Sequence, residues 1–515
     1  MNPPNQATGG SMTISVAEKD TSCCIIQIEK SVKHLKESAG GQSCCIFRIP
    51  HTLVEANETA YKPKILSIGP YHNLDGKAGG NHLQMIQEHK QRYLNIFLSK
   101  TKQKEVYLTH LREVVLGLEE RIRGSYSEEL NFSSEELVDM MVLDGCFILT
   151  LFLVISNKSW REDYPDDPIF MFRWILPTLR SDLLLLENQV PLFLLQALFS
   201  TSNLFPSTST TSLNTIIFRF FGYRIIRSNQ FWRDRKDLDA KHLLDLIRQT
   251  FIPKKSQEPK QSWTNIFNVF TFLNRISPSK SKVQKETKPT TRPTETLPLP
   301  PQPTETPPPP PPPTLAKPPP KLNRPKPRPF LKLVVSAKKL RLRGIKFMPK
   351  ESETPLDITL DESGVLEIPL LTFDDFFSSL LINCVAFEQF NLYCTTEMTS
   401  FVTFMGCLIN TAEDATFLSE KGIIENYFGT GEEVSLFFKN TGKDIAFSIS
   451  SSYLSDVFEG INDYTARGYH VHWAGIKYTY FKSPWTFLSS LAALVLLLLT
   501  IFQAFFAAYP YFHPR

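Results

Sequence analysis

Side chains able to do chemistry are sparse and scattered in this 515-residue chain. The stretch 181–199, SDLLLLENQVPLFLLQALF, sets Asp182, Glu187, Asn188 and Gln189 among apolar residues. A carboxylate held there could do acid/base work. The preferred reading is that Asn188 and Gln189 satisfy backbone groups freed at Pro191. His470 and His472 alternate about Val471 as two metal ligands could, but no third ligand accompanies them, so they read as a solvated pair. Gly429 and Gly431 lack the rest of a phosphate loop, and Glu432 and Glu433 beside them would repel phosphate. No GxSxG, HExxH or kinase set occurs. The eight cysteines, among them the pairs Cys23/Cys24 and Cys44/Cys45, show neither CxxC nor a Cys/His zinc spacing and read as reduced thiols of the cytosol. No catalytic residue, cofactor or metal is expected from these patterns.

Binding is the other chemistry to weigh. The run SIGPYH, 67–72, with Tyr61, Tyr71 and His72, could form a rigid aromatic loop. The simpler alternative is a turn at Gly69 and Pro70 whose tyrosines plug a helical core. Seven consecutive prolines, Pro307 to Pro313, and the stretch from Arg324 to Pro329 favour an extended polyproline arm that an aromatic groove of a partner protein could take, or a plain spacer. The formal charge of +4 hides twelve Lys/Arg and no Asp or Glu between Lys317 and Lys350. That segment includes Arg324, Lys338, Lys339, Arg341 and Arg343, and it suits the anionic headgroups of a cytosolic leaflet, where each basic residue contributes about 1 kcal/mol at most. A solvated basic linker is the alternative. The run KKLRLR alone would suggest a nuclear or nucleic-acid-binding protein, but no nucleic acid is expected for a chain with an insoluble anchor.

That anchor is the stretch 484–508, PWTFLSSLAALVLLLLTIFQAFFAA, which carries no charge. As a helix it rises about 37 Å, enough to cross a hydrocarbon core of about 30 Å with some tilt. Trp485, Tyr509 and Tyr511 stand where aromatic rings settle at membrane interfaces. Arg467, Lys477 and Lys482 precede the span and Arg515 follows it, which places the large N-terminal body in the cytosol, at the plasma membrane or an endomembrane. The first residues lack a signal-peptide apolar core, so the expected topology is a single-pass tail anchor. Small-xxx-small pairs, Ser489/Ala493 and Ala504/Ala508, allow a homo-oligomer through the span.

The elements that must position these groups read as mainly α: a helical cytosolic body with a small β-hairpin, a long disordered proline-rich insertion and one C-terminal transmembrane helix. Residues 1–20 are polar and read as disordered. Residues 21–251 form a helical N-terminal part, with helical spacing from Thr21 to Leu35, at 83–97 and at 108–122, and an irregular insert at 46–73 broken by Pro50, Pro63 and Pro70. Ser133 and Glu136 make a capping box before the apolar 137–155, which holds Asp139 and Asp144 and therefore reads as a buried core helix instead of a second span. Residues 238–251 read as one more amphipathic helix. Residues 252–329 are a proline-rich basic linker that cannot bury a core, with a short helix near Trp263. Residues 330–483 resume structure, with a hairpin from 356–360 and 365–369 about Asp361 to Gly364 and helices at 373–390, 399–410, 432–438 and 453–464. The span 484–508 and a tail 509–515 complete the chain.

Several of these stretches together resemble the plant family known as domain of unknown function 247. The matching residues are Ile49, Pro50, Asn57, Ala60, Tyr61, Pro63 and SIGPYH, then Lys90, Arg92, Tyr93 and Leu94, then LDGCF at 143–147 and DLLLLENQVP at 182–191. Farther on come Ser336, Ala337, Leu340, Gly344, Ile345, Phe347, Asn383, the AFEQ run 386–389, Asp414 and the closing Pro484-Trp485. The resemblance implies a plant source, a mostly helical body and one C-terminal anchor, and it supplies no accepted catalytic residue, cofactor or substrate. Some grass members are linked to pollen self-incompatibility, which points toward recognition at a membrane. The function expected is a membrane-anchored, non-enzymatic interaction or signalling component. The alternative is an enzyme of unrecognised type with a pocket near Glu187 or His72.

Overall fold

The computed structural model describes residues 41–72, 84–204, 211–222, 225, 227–253, 333–427, 429–443, 445–466 and 484–512. The chain divides into a unit of 1–258 with 331–515 and a unit of 259–330, and the second lies wholly outside the described residues. Also outside them fall the expected helix at 21–35, the linker with Pro307, Pro313 and Arg324, the helix near Trp263, and His470 and His472.

The first unit is mainly helical. Its N-terminal half runs through α1 (His51–Ala56), α2 (Glu58–Tyr61), α3 (Gln84–Thr101), α4 (Leu108–Leu116), α5 (Glu119–Gly124), α6 (Ser134–Ser156), α7 (Ile175–Asp182), α8 (Leu192–Thr201), α9 (Leu213–Phe221) and α10 (Leu243–Phe251). One-turn helices at Lys158–Glu162, Pro168–Met171 and Asn229–Arg233 join them. The C-terminal half holds α11 (Ala337–Leu342), strands β1 (Lys346–Lys350), β2 (Thr359–Leu360), β3 (Val365–Pro369) and β4 (Leu371–Phe373), then α12 (Asp375–Phe390), α13 (Glu397–Leu408), α14 (Ala412–Glu420), β5 (Ile424–Asn426), α15 (Gly431–Thr441) and α16 (Ser455–Ala466). The last element, α17 (Pro484–Phe512), has 29 residues.

The axis of the N-terminal half is α6, against which α3, α4, α8 and α9 pack. The capping box expected before it forms: Ser133 Oγ accepts from the Glu136 N–H (3.2 Å), and Glu136 accepts from the Ser133 N–H (2.9 Å). Gly145 lets α8 approach closely, since a Cβ there would stand 2.4 Å from Leu198 Cδ1. In the other half α12 packs on α13 and also on α2, α7 and α10, so residues from both sides of the proline-rich insertion share one hydrophobic cluster. Thr354 Oγ1, between β1 and β2, donates to the Phe251 carbonyl at the end of α10 and ties the two halves together.

Several boundaries differ from expectation for local reasons. The 108–122 helix is two, α4 and α5, because the chain turns at Gly117 and Leu118. The 46–73 insert carries α1 and α2, with Pro50 capping the first, a position where its missing N–H does no harm. Helix α10 begins at Leu243, because His242 Nδ1 accepts the Asp245 N–H as an N-cap. The hairpin is present as β2 antiparallel to β3, but β1 pairs parallel with β3 on its other edge, and β4 with β5 makes a second parallel pair. Those two pairings join strands 14 or more residues apart in sequence, outside the reach of turn signals.

Candidate functional site: a buried polar hub beneath the SIGPYH loop

Residues 65–70 are buried or half-buried without a partner strand, so their backbone polar groups must be met by side chains. Asp182, the last residue of α7, accepts from the N–H groups of Lys64 (3.0 Å), Ile65 (2.8 Å) and Leu66 (2.9 Å). Asn188 continues the series: its Oδ1 accepts from the Ile68 N–H at 2.6 Å, and its Nδ2 donates to the Leu66 and Asp182 carbonyls at 2.8 Å each. Asp144 on α6 accepts from the Gly69 N–H at 2.8 Å and from Lys90 Nζ at 2.6 Å, and Lys90 also donates to the Ser67 carbonyl at 2.5 Å. Gly69 has φ of +71°, and a Cβ on it would stand 2.7 Å from the Gln189 carbonyl oxygen. Gln189 itself donates to the Leu183 and Leu185 carbonyls and accepts from the Leu244 N–H. The motifs that carry the family resemblance in this half are thus one network, with SIGPYH at its centre. Burial raises the Asp182 carboxyl even though three backbone donors pull it down.

At the rim of the hub stand Arg48, His72, Glu128 and Glu187. Glu187 accepts from the Ile49 N–H at 2.6 Å, while its other oxygen lies 3.5 Å from Arg48 Nη1 and 3.6 Å from His72 Nε2. Arg48 reaches Glu128 at 3.3 Å and covers the Tyr71 ring at 4.4 Å. Burial pushes the Glu187 carboxyl up, against the pull of the Ile49 N–H and Arg48. This is the nearest approach to an acid/base pair around the hub, yet one Glu187 oxygen is committed to backbone. The clefts of about 560 Å³ (Gln91, Arg112, Glu136, Asp139 among its walls) and about 410 Å³ (Gln196, Ser212, Asn214, Asp237) lie at other residues.

A second buried polar group fastens the two halves. Arg248 on α10 faces Asp245 (3.2 Å), Glu388 of α12 (3.0 Å) and Glu397 of α13 (3.7 Å). Burial alone would lower the guanidinium, but Asp245 and Glu388 outweigh it and hold it charged. One cation cannot balance three carboxylates, and burial together with Glu397 pushes Glu388 up to about 7 despite Arg248. Glu388 also accepts from the Met398 and Thr399 N–H groups, which starts α13. Asn383, one turn earlier on α12, accepts from the Leu186 N–H at 2.8 Å and donates to the Ala60 carbonyl at 2.9 Å. Beside this group His242 donates from Nε2 to the Cys45 carbonyl at 3.0 Å, with Nδ1 already an acceptor, and burial holds it neutral with its pKa lowered to about 4.

The single candidates fall in different places. Tyr61 and Tyr71 are core side chains; Tyr71 meets Ser127 Oγ at 3.1 Å, and burial pushes its phenol up to about 12. His72 sits at the rim. Lys338, Lys339 and Arg343 are exposed around α11, whereas Arg341 is half-buried over the Phe417 ring. Among the described residues no group of three or more His, Cys, Asp or Glu could hold a metal. Sequence reasoning missed the Arg248 group and the Lys90–Asp144 pair, whose partners stand 140 and 54 residues apart and leave no local signal.

The motif network agrees with the comparisons. The family model described as a plant protein of unknown function, domain of unknown function 247, matches residues 46–499. The chain belongs to this plant family. The UPF0481 protein At3g47200 of Arabidopsis thaliana is 43% identical over 484 residues, covering 93% of this chain and 90% of that protein. The putative UPF0481 protein At3g02645 of the same plant is 21% identical over 517 residues, covering 89% of each. No solved structure matches the chain. The residues that mark this plant family in the sequence, Asp144, Asp182, Asn188, Gln189, Asn383, Glu388 and Asp414, each hold a backbone N–H of another segment. They specify a shape.

Proposed function

We propose that this protein is a membrane-anchored, non-enzymatic interaction component whose folded body stands on the cytosolic side of α17. The observation that carries the reading is α17 itself: residues 487–507 are apolar and none of them is buried. Left in water, such a surface is a liability that a bilayer removes. The commitment of the motif carboxylates and amides to backbone supports a scaffold in place of a reaction centre. Surface segments then do the recognising, and the arm from Pro307 to Pro313 docks into an aromatic groove of a partner protein. Self-association through Ser489/Ala493 is a further contact available to α17.

Protease added to sealed microsomes tests the orientation and should digest the body. The sequence holds three N-glycosylation sequons, at Asn57, Asn131 and Asn157, of which Asn131 is exposed; a cytosolic body never meets the lumenal machinery, so glycosidase should produce no shift. A sugar on Asn131 overturns the cytosolic orientation. Deleting 252–329 should remove co-purifying partners, and an unchanged partner set makes that segment a spacer.

A further inference from the structure

We propose that residues 333–348 form a headgroup-contact surface that holds the body against anionic lipids of the leaflet from which α17 emerges; this rests on the membrane reading of α17. On α11 the buried side chains are Ala337 and Leu340, which leaves Lys338, Lys339, Leu342 and, just past its end, Arg343 facing outward. Lys339 and Arg343 are four residues apart, as are Lys338 and Leu342, so cations and a large apolar side chain share one face. The alternation continues on β1, where Phe347 is buried while Lys346 and Met348 are exposed.

Leu333, Leu342 and Met348 are 56%, 51% and 50% exposed and lie in the same short stretch as the exposed cations. Lys338, Lys339, Arg343 and Lys346 enter none of the ion pairs among the described residues. The carboxylates beside this surface are Glu413 and Asp414, near Lys338, Asp361, near Lys346, and Glu367, opposite Met348 across the β1–β3 pairing; Asp414 is buried against the Lys338 N–H, so the outward-facing cations outnumber the outward-facing carboxylates only narrowly. Basic residues interleaved with apolar ones suit an anionic bilayer surface, the cations meeting phosphates and the apolar tips entering the boundary region. Reach is no obstacle. The chain from Ala466 to Pro484 can extend about 60 Å at most, which keeps the body within that distance of the bilayer.

The test uses the full chain reconstituted in vesicles of phosphatidylcholine alone or with phosphatidylserine, each doped with a photoactivatable lipid of matching headgroup, and maps adducts by mass spectrometry. The expected result is adducts on 333–348 with phosphatidylserine only. They should fall at least about fivefold in 0.5 M salt or in Lys338→Glu/Lys339→Glu/Arg343→Glu, since each cation is worth about that factor in affinity. Adducts on 484–512 should persist throughout. If adducts appear on 484–512 alone under every condition, the proposal is overturned while the anchor stands. If 484–512 is unlabelled, the anchor reading itself has failed. Salt-sensitive capture of an RNA or DNA oligonucleotide, lost in the same triple variant while the lipid arm stays flat, would assign the surface to nucleic acid and also overturn the proposal.

Discussion

Two helices in this protein hold apolar stretches of the same mean hydropathy and similar length, 134–156 in α6 and 487–507 in α17, with opposite surroundings. In α6, 83% of the apolar window is buried in the body; in α17 none of it is. The difference lies in their polar atoms. Helix α6 carries Asp144, whose charge is met by Lys90 and the Gly69 N–H, and Thr150, whose hydroxyl lies 3.4 Å from the Tyr93 carbonyl of α3. In a bilayer the Asp144 carboxylate would lose both partners. Helix α17 carries no Asp, Glu, Lys, Arg or His, and its Thr500 hydroxyl donates to the Leu496 carbonyl of the same helix. Its other polar side chains between 487 and 507, Ser489, Ser490 and Gln503, carry no charge. Hydropathy finds both helices; burial and the accounting of polar partners separate the core helix from the candidate span.

The largest effect is expected from breaking the partner of α6. Asp144→Ala leaves Lys90 charged and buried with the Gly69 N–H unmet, and should lower stability by about 3–5 kcal/mol. Lys90→Met with Asp144→Asn removes the stranded charge, keeps an acceptor for Gly69, and should recover much of that loss in urea denaturation. A double variant as unstable as Asp144→Ala would mean that the stranded Lys90 charge and the unmet Gly69 N–H are not what Asp144→Ala loses its stability to.

Next comes pH, to which the body should respond and α17 should not. His242 is held neutral with its pKa lowered from 6.5 to about 4, so its contribution is present above pH 6.5 and is lost as pH falls toward 4. Glu388 is raised from 4.5 to about 7, so stability is lost as pH rises through that window. Each contribution amounts to about 3 kcal/mol, and in the wild type they largely cancel. Urea midpoints of Glu388→Gln should therefore climb from pH 4.5 to 7, and those of His242→Asn should decline. Parallel slopes for the two variants would contradict these assignments. Membrane retention should stay flat over the same range.

A smaller effect tests the loop that meets Asp144. Gly69→Ala places a Cβ against the Gln189 carbonyl at positive φ and should cost about 1–3 kcal/mol, with α17's membrane retention unchanged.

The sequence made α6 readable because its signals are local: a capping box at Ser133 and Glu136, and carboxylates too costly for a span. The turn at Gly69 and Pro70 and the tyrosine plugs were readable for the same reason; that Asn188 and Gln189 bind backbone was readable too, but their partners, Leu66, Ile68 and Leu244 among them, lie in other segments and not at Pro191. Lys90 and Asp144 were visible as motif residues but not as a pair, and Arg248 was invisible among ordinary amphipathic residues until α12 and α13 closed over it. The short α9 and α14 escaped because two turns give periodicity too little length to register. The parallel pairing of β1 with β3 escaped because register between distant strands is set by the core they share.

The central claim, that α17 and not α6 holds this protein in a membrane, meets its most direct test in alkaline extraction of membranes bearing the full chain or Leu496→Arg/Leu498→Arg. Two arginines at mid-helix cost about 2.5–3.5 kcal/mol each in insertion. The wild type should remain in the membrane pellet and the variant should pass to the soluble fraction with its body folded. Release of the wild type, or retention of the variant, would contradict the account.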